Sequence, residues 1–188
     1  MTVEAPNPKA ELLGKVIAHI SHHGLSDVSL RELAAAVGTS HRMLIYHFGS
    51  REGLVAAIVT AIEQSQREAM ASLVAGAQEP AEVIRGLWYQ VSAAELRPFV
   101  RLFFEMLPHA LYGRPGTASF LDTLIDPWVE AAMTAAEVND WPTDPVELRL
   151  GIAVSRGLLV DLLATDDLDT TTAAIERFIA MWEQTRSA

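Results

Sequence analysis

The chain of 188 residues contains no cysteine. Disulfides and thiolate-bound metals are thereby excluded, and a reducing compartment suits it. Long apolar runs are missing as well. None approaches the roughly 20 residues that a membrane-spanning helix needs. Met1 to Pro8 shows neither the cationic start nor the apolar stretch of a secretory signal. A soluble cytoplasmic protein with no membrane partner is expected. Period-two alternation of apolar and polar residues is absent over any useful length, so no sheet is predicted and the fold class is all-α. Basic charge is scarce: 14 Lys and Arg stand against 24 Asp and Glu, for a net charge of −10.

What is present is apolar and unevenly charged. Half of the residues are hydrophobic, which argues against disorder. The length suits one sizeable core, or a small module on a larger body. Through residue 60, five basic residues balance five acidic ones, and five of the six histidines lie there; the whole −10 falls in the remainder. A neutral to weakly basic module on an acidic body orients the molecule on a polyanion and keeps the body off it. Few cationic contacts predict a moderate salt dependence of that binding.

The organising stretch is Ser29 to Phe48. Ser29 with Glu32 three residues on is the reciprocal capping box of a helix start. Leu30, Leu33, Ala34 and Val37 then repeat at helical spacing, and Gly38 stands where a helix ends in the left-handed conformation. Ser40 caps a second helix almost at once. So short a link, with Ala34 facing it, makes the two helices cross closely and steeply, as in a helix-turn-helix. The second helix buries Leu44 and Phe48 and turns His41, Arg42 and Tyr46 outward, and an exposed helix carrying donors is what the DNA major groove accepts. His41 and Arg42, with Thr39, are the candidates for base edges, Arg42 suiting guanine O6 and N7. Ser29, Tyr46, His47 and Arg51 are the candidates for phosphates, with packing beneath the fourth helix as the other reading of His47.

Gly38-Thr39-Ser40, Leu44, His47-Phe48 and Gly49-Ser50-Arg51-Glu52-Gly53-Leu54 together resemble the DNA-binding end of the TetR (tetracycline-repressor) family of bacterial regulators. The resemblance covers residues from about 10 to 58. Ile45 stands where the family has tyrosine, with Tyr46 one place later, a rotation of about 100° on a helix. Thr39, Gly49 and Arg51 replace the family's usual Val, Pro and Lys. The resemblance implies a three-helix DNA-binding domain over residues 1–54 and a helical effector-binding and dimerisation domain over 55–188, about nine helices in all. It further implies a homodimer on a near-palindromic double-stranded operator, most simply a ligand-responsive repressor with an apolar or aromatic small-molecule effector.

Along the chain, Met1 to Pro6 reads as a frayed arm, and Asn7-Pro8 as the start of a first helix that ends near His23-Gly24. His19 and His23 lie one turn apart, yet two ligands make no metal site. Ser50 caps a long fourth helix reaching about Leu73, and Gly49 and Gly53 leave its start open to a phosphate or merely tolerated there. A fifth helix from Pro80 ends or bends at Arg97-Pro98, and a sixth kinks or closes at Pro108. Asp126-Pro127 either kinks a seventh or caps a new one. Asp144-Pro145 starts a helix to about Ala164, apolar nearly all the way round, and the last helix runs from Thr171 to Thr185. A helix apolar on every side must be covered on every side. A second subunit supplying that cover gives Leu148, Ile152, Leu159, Phe178 and Trp182 as dimer-interface candidates.

Eight of the thirteen aromatics fall between residues 88 and 128. Such side chains either fill a core or line an apolar pocket; the resemblance places the effector pocket here. Trp88, Tyr89, Phe103, Phe104, Met106, His109 and Trp128 are its candidates. Glu105 and His109, four apart with Pro108 between them, are the one acid–base pair in this window. An alternative function rests on them, a helical small-molecule-binding protein or enzyme with a vestigial helix-turn-helix. No catalytic residue, metal ligand or cofactor is assigned.

Overall fold

A computed structural model describes residues 7–23 and 28–186. The arm Met1 to Pro6 and the Gly24 end of the first helix lie outside the described residues. Among these, ten α-helices and one short 3-10 turn, Ala94–Leu96, account for the regular structure. The chain divides into two compact units, Met1–Ala61 with Arg101–Leu121, and Ile62–Val100 with Asp122–Ala188.

In the first unit, α1 (Pro8–His23) starts on Asn7, whose Oδ1 accepts the Lys9 and Ala10 N–H groups at 3.2 and 3.3 Å. Leu12, Val16 and Ile20, four apart, form its buried stripe. His23 Nδ1 bonds the His19 carbonyl at 3.0 Å and the two rings stack at 4.4 Å, so this pair closes a helix end. α2 (Leu30–Ala36) opens with the complete capping box of Ser29 and Glu32. Gly38 takes φ 72°, a turn that only glycine makes without strain, and Ser40 Oγ accepts the Met43 N–H to start α3 (His41–Phe48). Leu33, Ala34 and Leu44, each at most 1% exposed, hold the two helices together.

α4 (Arg51–Gly76) begins in this unit and runs on into the second. Its Leu54, Val55 and Ile58 are fully buried. A Cβ at Gly53 would run into the Phe48 carbonyl oxygen, so this glycine is there for close packing of the α3–α4 turn, a reason its sequence position did not suggest. α6 (Arg97–Leu111) likewise crosses from one unit to the other, and α7 (Ala118–Asp122) buries Phe120 edge-on to Phe103 at 5.5 Å.

The second unit holds the remainder of α4 with α5 (Pro80–Val91), α8 (Asp126–Val138), α9 (Pro145–Thr165) and α10 (Leu168–Arg186). α10 packs on α9 and α5, and α8 on α9. Several expected boundaries move. α5 stops at Val91, and Pro98 is the second residue of α6, where its missing N–H leaves no helical bond unmade. α6 passes through Pro108 to Leu111. Asp126 is the first residue of α8 rather than its cap, while Asp144 does cap α9 through the Val146 N–H at 2.8 Å. α10 starts three residues early because Asp167 accepts the Thr170 N–H and hydroxyl at 2.9 and 2.7 Å. Among the described residues no helix is long and apolar enough to cross a membrane.

Candidate DNA-reading helix and ligand cavity

α3 is anchored on one side only. Leu44 and Phe48 are buried, at 1% and 8% exposure, whereas His41 and Arg42 stand in solvent and Tyr46 is 77% exposed. Arg42 and Tyr46 are four apart and therefore neighbours on the same outer face, as are His41 and Ile45. Thr39 is half-buried in the turn before them. The outward ridge thus carries a guanidinium, an imidazole and a phenol. The tyrosine's shifted place leaves it outside, packed edge-on against His47 at 5.0 Å. His47 itself is half-buried and lies 6.2 Å from the Phe48 ring.

The phosphate candidates differ in what already holds them. Ser29 is exposed, but its hydroxyl accepts the Glu32 N–H at 3.3 Å and its own N–H donates to Glu32 Oε2 at 2.9 Å. Hydrogen bonding of the Glu32 carboxyl to the Ser29 hydroxyl, and then to the Ser29 backbone N–H, holds it below the usual range. Arg51 donates from Nη1 to Glu105 Oε1 at 2.8 Å. At the start of α4, Ser50 Oγ accepts the Gly53 N–H at 3.1 Å, and the Glu52 carboxyl is lowered by its own backbone N–H and the Ser50 hydroxyl. The anion that a helix N-terminus attracts is here supplied in part by the chain itself. The Arg51 pairing also reassigns Glu105, which the sequence sets beside His109. Its partner comes from 54 residues away, and His109 Nδ1 is buried without a hydrogen bond. No cluster of three metal-ligating side chains occurs among the described residues.

A cavity of about 220 Å³ lies within the second unit. All four tryptophans of the chain, Trp88, Trp128, Trp141 and Trp182, line it. Trp88 Nε1 donates to Thr172 Oγ1 at 3.0 Å, Trp128 Nε1 to Glu63 Oε2 at 3.0 Å, and Trp182 Nε1 to Glu147 Oε2 at 2.9 Å. With those N–H groups bonded to side chains, the indoles offer chiefly ring surface. Gly151 and Ser155 sit on the cavity wall, and a Cβ at Gly151 would lie 3.9 Å from the Phe178 ring.

The charged end of the wall is a pair. Arg156 Nη2 donates to the Leu124 carbonyl at 2.5 Å and reaches Glu63 Oε1 at 3.5 Å; Arg67 stands 3.9 Å from Glu63 Oε2. Burial pushes the Glu63 carboxyl up, against the opposing pull of the Trp128 N–H and the two guanidiniums. Burial also lowers Arg156, against the attraction of Glu63.

Of the seven pocket candidates, Trp88 and Trp128 line this cavity. Tyr89 is 60% exposed, and Phe103, Phe104, Met106 and His109 belong to the first unit, where Phe103 and Met106 are buried core. The five dimer-interface candidates, Leu148, Ile152, Leu159, Phe178 and Trp182, all turn toward the cavity of their own chain. The exposed stripe of α9 is the other one: Val146, Leu150 and Val160 at 72, 56 and 49%, interleaved with exposed Ala153, Gly157 and Ala164. Two apolar stripes on one helix are what made its periodicity uninformative.

A capped helix-turn-helix with its polar ridge outward, followed by an all-helical body, defines a DNA-binding transcriptional regulator. The family model of bacterial regulatory proteins of the tetR family matches residues 17–58. The match spans the helix-turn-helix and the start of α4, so this module is similar to the DNA-binding end of that family. The body shares the family's fold. A TetR-family transcriptional regulator from Pectobacterium atrosepticum is 20% identical, over 94% of this chain and 91% of that one, with a TM-score of 0.67. The multidrug binding protein EbrR, solved with ethidium, is 20% identical over 93% and 99%, at 0.64. The fatty acid degradation regulator FadR from Bacillus halodurans is 14% identical over 95% and 96%, at 0.62. No curated protein sequence matches the chain.

Proposed function

We propose that this chain is a cytoplasmic ligand-responsive repressor that binds a near-palindromic operator as a homodimer. The observation that carries the reading is the cavity lined by all four tryptophans, in a chain that begins with a TetR-family reading head. An apolar volume of this kind is costly to leave empty, and a small apolar or aromatic molecule is its natural occupant. EbrR, of the same fold, is solved with ethidium.

In this reading Thr39, His41 and Arg42 meet base edges, while Ser29, Tyr46, His47 and Arg51 meet phosphates. Arg51 must then exchange Glu105 for a phosphate oxygen. A second copy covers the exposed stripe of α9, and two reading helices address half-sites about one helical turn, or a multiple, apart. The DNA-binding domain spans residues 1–54 and the effector and dimerisation domain 55–188. α4 is one continuous helix through residues 54 and 55, so a ligand that biases its cavity end also biases its reading end. Ligand and operator then weaken each other's binding by the same factor.

Selection of retained sequences from random duplex DNA, at a stated salt concentration, tests this. An inverted repeat, bound by two copies per site, is expected. Enrichment of no sequence, with and without aromatic ligands present, would refute it.

A further inference from the structure

The cavity wall has a chemistry more specific than apolar. Its ring surface comes from four indoles and Phe178, and its charged side chains are the carboxylates of Glu63, Asp144 and Glu147 against the single guanidinium of Arg156. Glu63 and Arg156 answer each other. That leaves the two carboxylates at the start of α9 without a cation on the wall. Asp144 is engaged as the α9 cap, but Glu147 meets Trp182 directly through the indole N–H. The guanidinium of Arg186 stands 4.6 Å over Trp182 and donates to the Pro142 carbonyl, and Arg186 is not part of the wall. Aromatic faces carry negative potential, and a desolvated cation over them gains more than it does in water.

We infer that this cavity takes a planar aromatic cation of two or three fused rings, seated among the indole faces with its charge toward Glu147. The volume is below the roughly 300–1,000 Å³ usual for drug-sized ligands, which sets the ring count. Gly151 leaves beside Phe178 a space that a Cβ would fill at 3.9 Å from the ring, one turn along α9 from Glu147. The indole N–H groups of Trp88, Trp128 and Trp182 and the Arg156 guanidinium are bonded to protein acceptors, so a neutral or anionic ligand finds ring surface but few donors to complement its acceptors. The inference rests on the cavity being the effector site.

The test uses three probes of one shape and the full-length chain: N-methylquinolinium, the matching neutral methylnaphthalene, and naphthoate. Quenching of intrinsic fluorescence reports entry directly, because all four tryptophans line the cavity. The wild type is expected to prefer N-methylquinolinium over methylnaphthalene by roughly tenfold or more. Glu147→Gln keeps an oxygen to accept the Trp182 N–H, removes the charge, and is expected to bring that ratio close to one with an unchanged circular dichroism spectrum. A wild-type ratio near one, tightest binding of naphthoate, or a ratio unmoved by Glu147→Gln would overturn the cation. Gly151→Leu, which fills the space beside Phe178, separates the two levels. If it abolishes quenching by methylnaphthalene or naphthoate in a protein that shows no cation preference, the effector site stands and the cation falls. If none of the three probes quenches, both fall.

Discussion

Arg156 is the side chain whose removal exposes most about how the second unit is held. Arg156→Met keeps length and apolar bulk but leaves Glu63 with one guanidinium, that of Arg67 at 3.9 Å, and the Trp128 N–H at 3.0 Å. Removing one partner of a fully buried ion pair costs about 3–5 kcal/mol. The pair here is 20% and 12% exposed, its closest approach is 3.5 Å, and two partners of Glu63 remain. The cost therefore falls to about 2–3 kcal/mol near neutral pH, of which about 1 kcal/mol is the lost bond to the Leu124 carbonyl. The pH dependence identifies the remainder. Glu63 already has its folded pKa above the usual 4.5. Losing Arg156 raises it further, so the proton is bound more tightly by the folded variant than by the folded wild type. A raised carboxyl contributes stability that is complete below the unfolded value and is lost as pH rises through the folded one. The difference between variant and wild type should accordingly be largest at about pH 7 and shrink toward about 1 kcal/mol near pH 5. Urea unfolding at a series of pH values measures this, and Glu63→Leu combined with Arg156→Met should recover most of the loss. A difference that is flat with pH, or a double variant no more stable than Arg156→Met, would refute the reasoning.

Three further outcomes are expected. Gly53→Ala should lower stability by about 1–3 kcal/mol, because its Cβ meets the Phe48 carbonyl; an unchanged or raised thermal midpoint would contradict the packing at the α3–α4 turn. Arg42→Ala should weaken operator binding by roughly 1–3 kcal/mol and relax preference at one base position. Uniform weakening across all sequences would make Arg42 a phosphate contact instead. Leu150→Glu, on the exposed stripe of α9, should leave a folded monomer in sedimentation, whereas Leu159→Glu, on the cavity wall, should unfold the second unit.

The parts of this molecule that were readable in its sequence are those governed by neighbours in the chain. Ser29 with Glu32, Gly38, Ser40 and Asn7-Pro8 act over three or four residues, and each helix start or end they announced is present. Where distance along the chain grows, the sequence falls silent. Glu105 pairs with Arg51 rather than its near neighbour His109, and Thr171 is interior because Asp167 begins α10 before it. The crowding of aromatics between residues 88 and 128 pointed to a pocket, but the chain divides that window between two units. The cavity draws instead on tryptophans spread from 88 to 182. A better signal was present in α9, where Glu147, Gly151 and Ser155 repeat a polar or small residue every four positions along one face.

α9 has consequences for how this protein can change. One of its faces shapes the hollow through Glu147, Gly151, Ser155 and Leu159, and the opposite face is the bare apolar ridge from Val146 to Ala164. Few of its 21 residues are idle. Under the proposed function, mutational drift there is constrained twice over, once for fit and once for adhesion. On that reading a lineage that rewrote α9 would have to renegotiate its occupant and its neighbour in the same step.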